Sequence, residues 1–294
     1  MSDVWINGQV VPRDEARIDI EDRGFQFADG VYEVIRIYNY KPFTLDLHLA
    51  RLERSADGIK IAPPMKREEL ASQIRSFIAG RKVRDGYLYI QLTRGTCLRD
   101  HRYPKDCTPT LLFYIKPLGP APIPGEGEGL KLLPLEDDRW KRCWIKCIAL
   151  TANVLAKNEA ISQGYDEPIF LTGEVVTEGA TSNLFAVIGG KLVTHPVGSK
   201  VLPGITRSVI MQCAGQLGIE VQERPLRAEE VRRADEVFIS STTRELAWVA
   251  RFGESYIGQG KCGPITIRLH RVFRDRVIAE TQEPASAATL RPTG

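Results

Sequence analysis

The chain has 294 residues, 43% apolar and 26% charged, in the proportions of an ordinary globular protein. Its 40 basic and 37 acidic residues leave a net charge of +3, too small an excess to mark a nucleic-acid or anionic-membrane binder. No run approaches the ~18 apolar residues that span a bilayer. The polar start, Met1 to Asp19, does not read as a signal peptide, so the six scattered cysteines (97, 107, 143, 147, 213 and 262) read as reduced thiols in a cytoplasmic protein.

Val4 to Pro12 is expected to form a hairpin around Asn7-Gly8, a strong two-residue turn signal. Asp29 to Tyr38 follows, with apolar Val31, Val34, Ile35 and Ile37. Helical spacing predicts helices over 44–59, through Leu45, Leu49 and Leu52, and over 65–81, through Leu70, Ile74, Phe77 and Ile78. Aromatic and β-branched content predicts strands over 87–93 and 108–115. Pro117 to Gly129 holds four glycines and four prolines, which excludes a helix or central strand. It divides the chain into an N-terminal unit (1–117), a linker (118–129) and a C-terminal unit (130–281), with 282–294 expected to fray. In the second unit, strands are predicted over 130–134, 142–149, 169–171, 184–188, 191–194 and 236–240. Helices are predicted over 153–163, 205–217 and 265–280. The organisation is two α+β domains without internal repeats.

Common catalytic signatures are absent: the chain has no phosphate loop, no His-Glu-x-x-His and no Gly-x-Ser-x-Gly. Cys143 and Cys147 lack a second ligand pair, so no metal site is expected. Gly258 to Gly263 matches Gly-x-Gly-x-x-Gly, but only one helix follows, whereas a dinucleotide unit needs a further strand. A tight glycine turn is the expectation there. A nicotinamide oxidoreductase is the other class that this motif leaves open.

Chemistry gathers in four segments. Within Arg142 to Ala149, read as a strand, Lys146 lies deepest between Ile145 and Cys147, with Trp144 and Ile148 on its face. Apolar walls penalise an ammonium and favour the neutral amine that Schiff-base chemistry needs; snorkelling or carboxylate pairing is the bland alternative. Thr177 to Phe185 reads as an acidic turn in which Glu178 stands beside small residues, suited to a ligand that passes close. Leu202-Pro203-Gly204-Ile205-Thr206-Arg207 opens a helix whose first amides suit a phosphate, unless Thr206 is simply a cap. Ser240 to Thr243 adds hydroxyls and amides after a strand. Arg99 and His101 alternate and, if extended, point the same way, as a carboxylate clamp requires. An amine, an acid, a phosphate cradle and a carboxylate clamp are the parts that pyridoxal phosphate needs to act on an amino acid.

The sequence resembles the class IV (fold type IV) pyridoxal-phosphate-dependent aminotransferases, and within them the D-amino acid branch. The resemblance rests on Glu21 to Val34, His48 to Leu52, Thr93 to His101, Arg139 to Lys146, Asn153 to Lys157, Glu178 to Phe185, Leu202 to Arg207 and Ser240 to Thr243. It implies a small N-terminal α/β domain and a larger barrel-like C-terminal one. Position by position, it implies that Lys146 is the Schiff-base lysine and proton shuttle, and that Glu178 faces the pyridine nitrogen. Arg51, Ile205, Thr206, Ser241 and Thr242 would hold the phosphate, with Arg139 near the ring hydroxyl. Tyr32, Arg99 and His101 would bind the substrate α-carboxylate, the last two reaching in from the neighbouring subunit of a homodimer. Donors would be D-alanine, D-glutamate and D-aspartate; acceptors would be pyruvate and 2-oxoglutarate. Branched-chain L-amino acid aminotransferases, aminodeoxychorismate lyases and (R)-amine transaminases are the related alternatives, and none shares the Arg99/His101 clamp. A dead binding protein is disfavoured because each expected part is present. Arg244 departs from the pattern, standing where a small polar residue is expected. As an extra cation it either favours acidic substrates or pairs with Glu245.

Overall fold

The computed structural model describes residues 3–282. Of the tail expected to fray, 283–294 lie outside the described residues.

The first half runs β1 (Val4–Ile6), β2 (Gln9–Val11), α1 (Arg23–Phe27), β3 (Gly30–Tyr38), β4 (Lys41–Pro42), α2 (Leu45–Gly58), α3 (Arg67–Ala79), β5 (Gly86–Thr93) and β6 (Thr110–Pro117). Asn7 and Gly8 both take positive φ, +46° and +92°, so the β1–β2 hairpin turns as its sequence predicts. The strands form one antiparallel sheet in the order β2-β1-β6-β5-β3-β4. Odd positions of β3 (Val31, Ile35 and Ile37) are buried with Leu49 and Leu52 of α2 and Ile74 and Phe77 of α3. Even positions Tyr32 and Val34 face a cavity instead.

No helix or strand lies between Pro117 and Leu130. The second half runs β7 (Leu130–Glu136), α4 (Thr151–Ser162), β8 (Glu167–Thr172), β9 (Val175–Gly179), β10 (Asn183–Ile188), β11 (Lys191–Thr194), α5 (Ile205–Gln216), β12 (Val221–Glu223), β13 (Leu226–Arg227), α6 (Ala228–Arg232), β14 (Glu236–Ser241), β15 (Glu245–Phe252), β16 (Ser255–Tyr256) and α7 (Pro264–Thr281). Strands β10, β14, β15, β7, β8 and β9 pair in succession, and β9 pairs back to β10 through Glu178 and Asn183. That contact closes a six-stranded barrel, as the resemblance implies. Its interior packs Leu132, Ile169, Val176, Leu184, Ile239 and Val249, while α5 and α7 cover Phe185, Phe238 and Leu246 outside. Tyr38 and Phe43 of the first half join that outer core and tie the two halves together. The Gly258–Gly260 turn precedes α7 as one 3₁₀ turn, without the strand pattern of a dinucleotide unit.

Two expectations are corrected. Residues 142–149 form no strand; they follow turns and an isolated bridge between Val31 and Cys147. Cys97 and Cys107 are joined by a disulfide, and only the other four cysteines are free. The register of β5 with β6 sets Thr93 opposite Thr110, so the connecting loop returns on itself and brings these two limbs together. Six reduced thiols therefore no longer support a cytoplasmic setting. No described helix is long and apolar enough to cross a membrane.

Candidate active site

A cavity of about 550 Å³ opens between the two sheets. Lys146 enters it because its neighbours are anchored elsewhere: Ile145 and Cys147 are buried in the core of the first sheet. Tyr32 N donates to Lys146 O at 3.0 Å and Ile148 N to Gly30 O at 3.1 Å, stitching the segment to β3. Lys146 N donates to Ser55 Oγ of α2 at 3.1 Å. The close approach of α2 depends on Gly58, where a Cβ would lie 2.7 Å from Trp144 and 2.9 Å from Ile145. The Lys146 side chain is half-buried, and its Nζ lies 4.2 Å from the centre of the Tyr32 ring. Among the described residues no carboxylate forms an ion pair with it. Trp144 is 37% exposed and does not share its face, since the chain turns where a strand was expected.

Glu178 sits across the cavity, at the barrel's closing contact. It lies on a strand rather than in the acidic turn expected from its small neighbours, because β9 continues to the bridge with Asn183. Its Oε1 accepts from Arg139 Nη1 at 2.7 Å; its Oε2 accepts from Leu202 N at 2.9 Å and Asn183 Nδ2 at 3.1 Å. Burial raises its pKa above the usual carboxylate range, against the pull of Arg139. Arg139 lines the cavity, but most of its donors are engaged, by Asp137 at 2.9 and 3.1 Å, by Glu178 and by Lys200 O. Burial opposes its charge, while Asp137 and Glu178 more than offset that and raise its pKa. Gly204 admits this arrangement: a Cβ there would fall 2.0 Å from Asn183 Oδ1.

Gly204 also caps α5, whose first turn carries no acidic residue and has no side-chain cap, so Thr206 does not serve as one. Gly204, Ile205 and Thr206 line the cavity together with Ser240, Ser241, Thr242 and Thr243. Arg51 reaches the same space from α2. Its Nε and Nη2 donate to Glu33 at 2.7 and 2.8 Å and its Nη1 to Pro203 O at 3.0 Å, leaving one N–H on each terminal nitrogen. His48 Nδ1 lies 2.8 Å from the second Glu33 oxygen. Despite complete burial, which acts to raise its pKa, Glu33 is held down to about 2 by Arg51 and His48. Burial keeps His48 below the ordinary imidazole range.

Tyr32 lines the cavity, whereas Arg99 and His101 do not. Both are exposed and pack on Phe27, with the Arg99 guanidinium 4.9 Å and the His101 ring 5.3 Å from that ring's centre. They share a side, as their alternation predicts, but outside the site of their own chain. Arg244 lines the cavity and does not pair with Glu245. Glu245 is directed the other way, accepting from Tyr38 Oη at 2.7 Å and Arg274 at 2.8 Å.

Glu33, Asp137, Ser55 and Glu167 join the site without being among the residues that the sequence marks as candidates. Glu33 had a signal: an acid at an odd position of a strand whose other odd positions are apolar is buried, and a buried acid needs a cation. Asp137, Ser55 and Glu167 had none, because their partners come from distant elements.

Residues 30–252 match the family described as amino-transferase class IV. The chain is 40% identical to the D-alanine aminotransferase of Bacillus licheniformis over 95% of its own length and 98% of that protein's. It is 38% identical to that of Staphylococcus haemolyticus, over 93% and 97% of the two chains. Among solved structures it resembles the branched-chain amino acid aminotransferase of Escherichia coli, with a TM-score of 0.87, 29% identity and 97% of both chains covered. The branched-chain enzyme of Thermobaculum terrenum, solved in its PLP form, gives a TM-score of 0.83 and 28% identity over 95% and 94% of the chains. The matched family region carries Lys146, Glu178 and the walls around them, and the chain belongs to the class IV aminotransferases.

Proposed function

We propose that this enzyme is a pyridoxal 5′-phosphate-dependent D-amino acid transaminase. It moves the amino group of D-alanine, D-glutamate or D-aspartate to 2-oxoglutarate or pyruvate. One observation carries the reading: a single cavity sets an amine without a carboxylate partner, Lys146, across from a buried carboxylate, Glu178, beside an anion cradle. The D-alanine aminotransferases that share about two residues in five with the chain support the substrate class.

The residues present fit the cofactor. The first turn of α5, the 240–243 hydroxyls and the residual Arg51 N–H groups suit a phosphate ester. Ser240 Oγ is buried in the cavity wall and makes no hydrogen bond. When bound, pyridoxal phosphate supplies an electron sink for the carbanion at the substrate Cα. Arg51, Ile205, Thr206, Ser241 and Thr242 would hold its phosphate. Lys146 Nζ would take the proton from the substrate Cα and pass it to the cofactor carbon that keeps the amino nitrogen. Glu178 presents a carboxylate that favours a protonated ring nitrogen, and Arg139 fixes its orientation rather than reaching for the ring hydroxyl with most of its donors.

Tyr32 binds the α-carboxylate from within the chain; Arg99 and His101 complete the clamp from the partner in a homodimer. Exposed apolar side chains around them, Ile20, Phe25, Leu98 and Tyr103, give that face a reason to be covered. Lys146 sets the face on which the proton moves, and the clamp sets where the carboxylate lies relative to that face; the D-alanine aminotransferase relatives support a clamp placed so that the D-enantiomer presents its Cα–H to the amine. The test is turnover of D-alanine with 2-oxoglutarate, beside L-alanine and L-leucine, read for each donor as the 2-oxo acid it releases. Turnover with D-alanine alone is expected. Preference for L-leucine would move the enzyme to the branched-chain group.

A further inference from the structure

Arg244 and Lys157 are the cavity cations without a role in the proposed reaction; Arg244 is the one without a hydrogen-bonded carboxylate. It ends the turn between β14 and β15, where its N donates to Ser241 Oγ at 3.2 Å. Its side chain is one-third exposed, yet Nη1 is buried and makes no hydrogen bond. The nearest carboxylate is Glu167, with Oε2 3.7 Å from Nη1. Glu167 is already committed: Oε2 accepts from Lys157 Nζ at 2.7 Å, and Oε1 accepts from Thr181 N at 3.0 Å and Thr181 Oγ1 at 2.9 Å, with Ser182 Oγ at 3.4 Å. Glu245 is bound on the opposite side by Tyr38 and Arg274. Two cations, Lys157 and Arg244, thus share one fully buried carboxylate, and one positive charge remains uncompensated at the cavity wall.

With Nη1 turned to Glu167, the other guanidinium N–H groups are not buried and have no hydrogen-bond partner among the described residues, and such a planar set of donors favours a carboxylate or a phosphate. Of the groups assigned to the phosphate, Arg51 and the first turn of α5 meet at Pro203, and Ser241 and Thr242 open the turn that Arg244 ends. Arg244 instead approaches Glu167 of β8 beside Lys157 of α4. We propose that Arg244 recognises a second carboxylate on the substrate, so that dicarboxylic D-amino acids and their 2-oxo acids are the preferred class. The inference rests on the transaminase reading and deepens it.

The experiment uses holoenzyme and the first half-reaction with donor alone, followed through the cofactor's absorbance. The second-order rate constants for D-glutamate and D-alanine are compared in the wild type, R244M and R244K. The expected result is a D-glutamate to D-alanine ratio at least ~30-fold lower in R244M, with partial recovery in R244K. The inhibition constant of glutarate should rise relative to that of butyrate in the same order, a binding readout independent of turnover. A ratio within threefold of wild type in an active enzyme overturns the proposal. So does a parallel loss for both donors with faster pyridoxal phosphate release, which assigns Arg244 to the phosphate. A wild type inert to both D-donors but active on L-leucine refutes the transaminase reading on which the inference stands.

Discussion

Replacing Glu33 by glutamine tests how the site is held together. Glu33 is fully buried between Arg51 and His48, and both its oxygens are used. Glutamine keeps the shape but offers one acceptor and an amide NH₂, so the buried guanidinium loses its counter-charge. Breaking such a pair costs ~3–5 kcal/mol at neutral pH. The pH dependence gives the sharper test. Glu33 titrates at about 2 in the folded chain against 4.5 ordinarily. A depressed carboxyl contributes its full stability above the unfolded value and loses it as pH falls toward the folded one. That difference is worth ~3 kcal/mol in total, about two-thirds of it lost by pH 3. His48 acts in the same direction at higher pH: burial lowers its pKa, so the unfolded chain takes up that proton first and stability drops on acidification. Urea unfolding followed by fluorescence of the four tryptophans, at pH 6 and pH 3, reads both stabilities. E33Q should be less stable by several kcal/mol at pH 6, and the gap should narrow by ~2 kcal/mol at pH 3. It should also bind pyridoxal phosphate more weakly by equilibrium dialysis, because Arg51 is no longer fixed. A gap that stays constant with pH, or no gap, refutes the assignment.

Lys146→Ala should abolish turnover and remove the peptide labelled after borohydride treatment; full turnover in that variant would reject the lysine. Arg99→Ala should raise KM for D-alanine and lower kcat/KM by the equivalent of ~2–4 kcal/mol. Mixing the inactive Lys146→Ala protein with the impaired Arg99→Ala protein should raise activity above that of either alone, since each hybrid dimer then holds one complete site; mixtures with no gain count against delivery across the interface. Gly204→Ala places a Cβ 2.0 Å from Asn183 Oδ1 and should push the Asn183 amide away from Glu178. Cofactor affinity should fall and stability should drop by ~1–3 kcal/mol, and unchanged thermal unfolding and binding would show that the turn yields without cost.

Local pattern made most of the first half legible. The Asn7-Gly8 turn, the Leu45-Leu49-Leu52 stripe and the strand ending at Thr93 are decided by neighbours in sequence. The second half was harder for a physical reason. Strand β15 is buried along most of its length, so no alternation marks it, and Glu178 sits where a short strand meets its partner only through barrel closure. Residues 142–149 have strand composition, but Ile145 and Cys147 are recruited into a core formed by other elements, and the backbone turns to let them in. Composition could not show that competition. Cys97 and Cys107 illustrate the same limit, since only the register of β5 against β6 brings them together. Lys146, Glu178 and Arg51 were legible through the resemblance, which carries order and spacing that propensity does not.

The cavity's charges also divide in a way that bears on chemistry. Arg51 is bound to Glu33, Arg139 to Asp137 and Glu178, and Lys157 to Glu167. These pairs fix each cation in place before any ligand arrives, so a bound anion need not supply the energy to order them. Arg51 retains unused N–H groups toward the cavity, as a phosphate anchor requires. Lys146 and Arg244 lack a hydrogen-bonded carboxylate, and they are the two cations that face the reactants in the proposed reaction. An amine that must form and break bonds is hindered by a permanent counter-ion, and a recognition group that must distinguish substrates is blunted by one. In the proposed reaction, the cations that position are thus paired, whereas Lys146 has no carboxylate partner among the described residues and Arg244 has only a shared one.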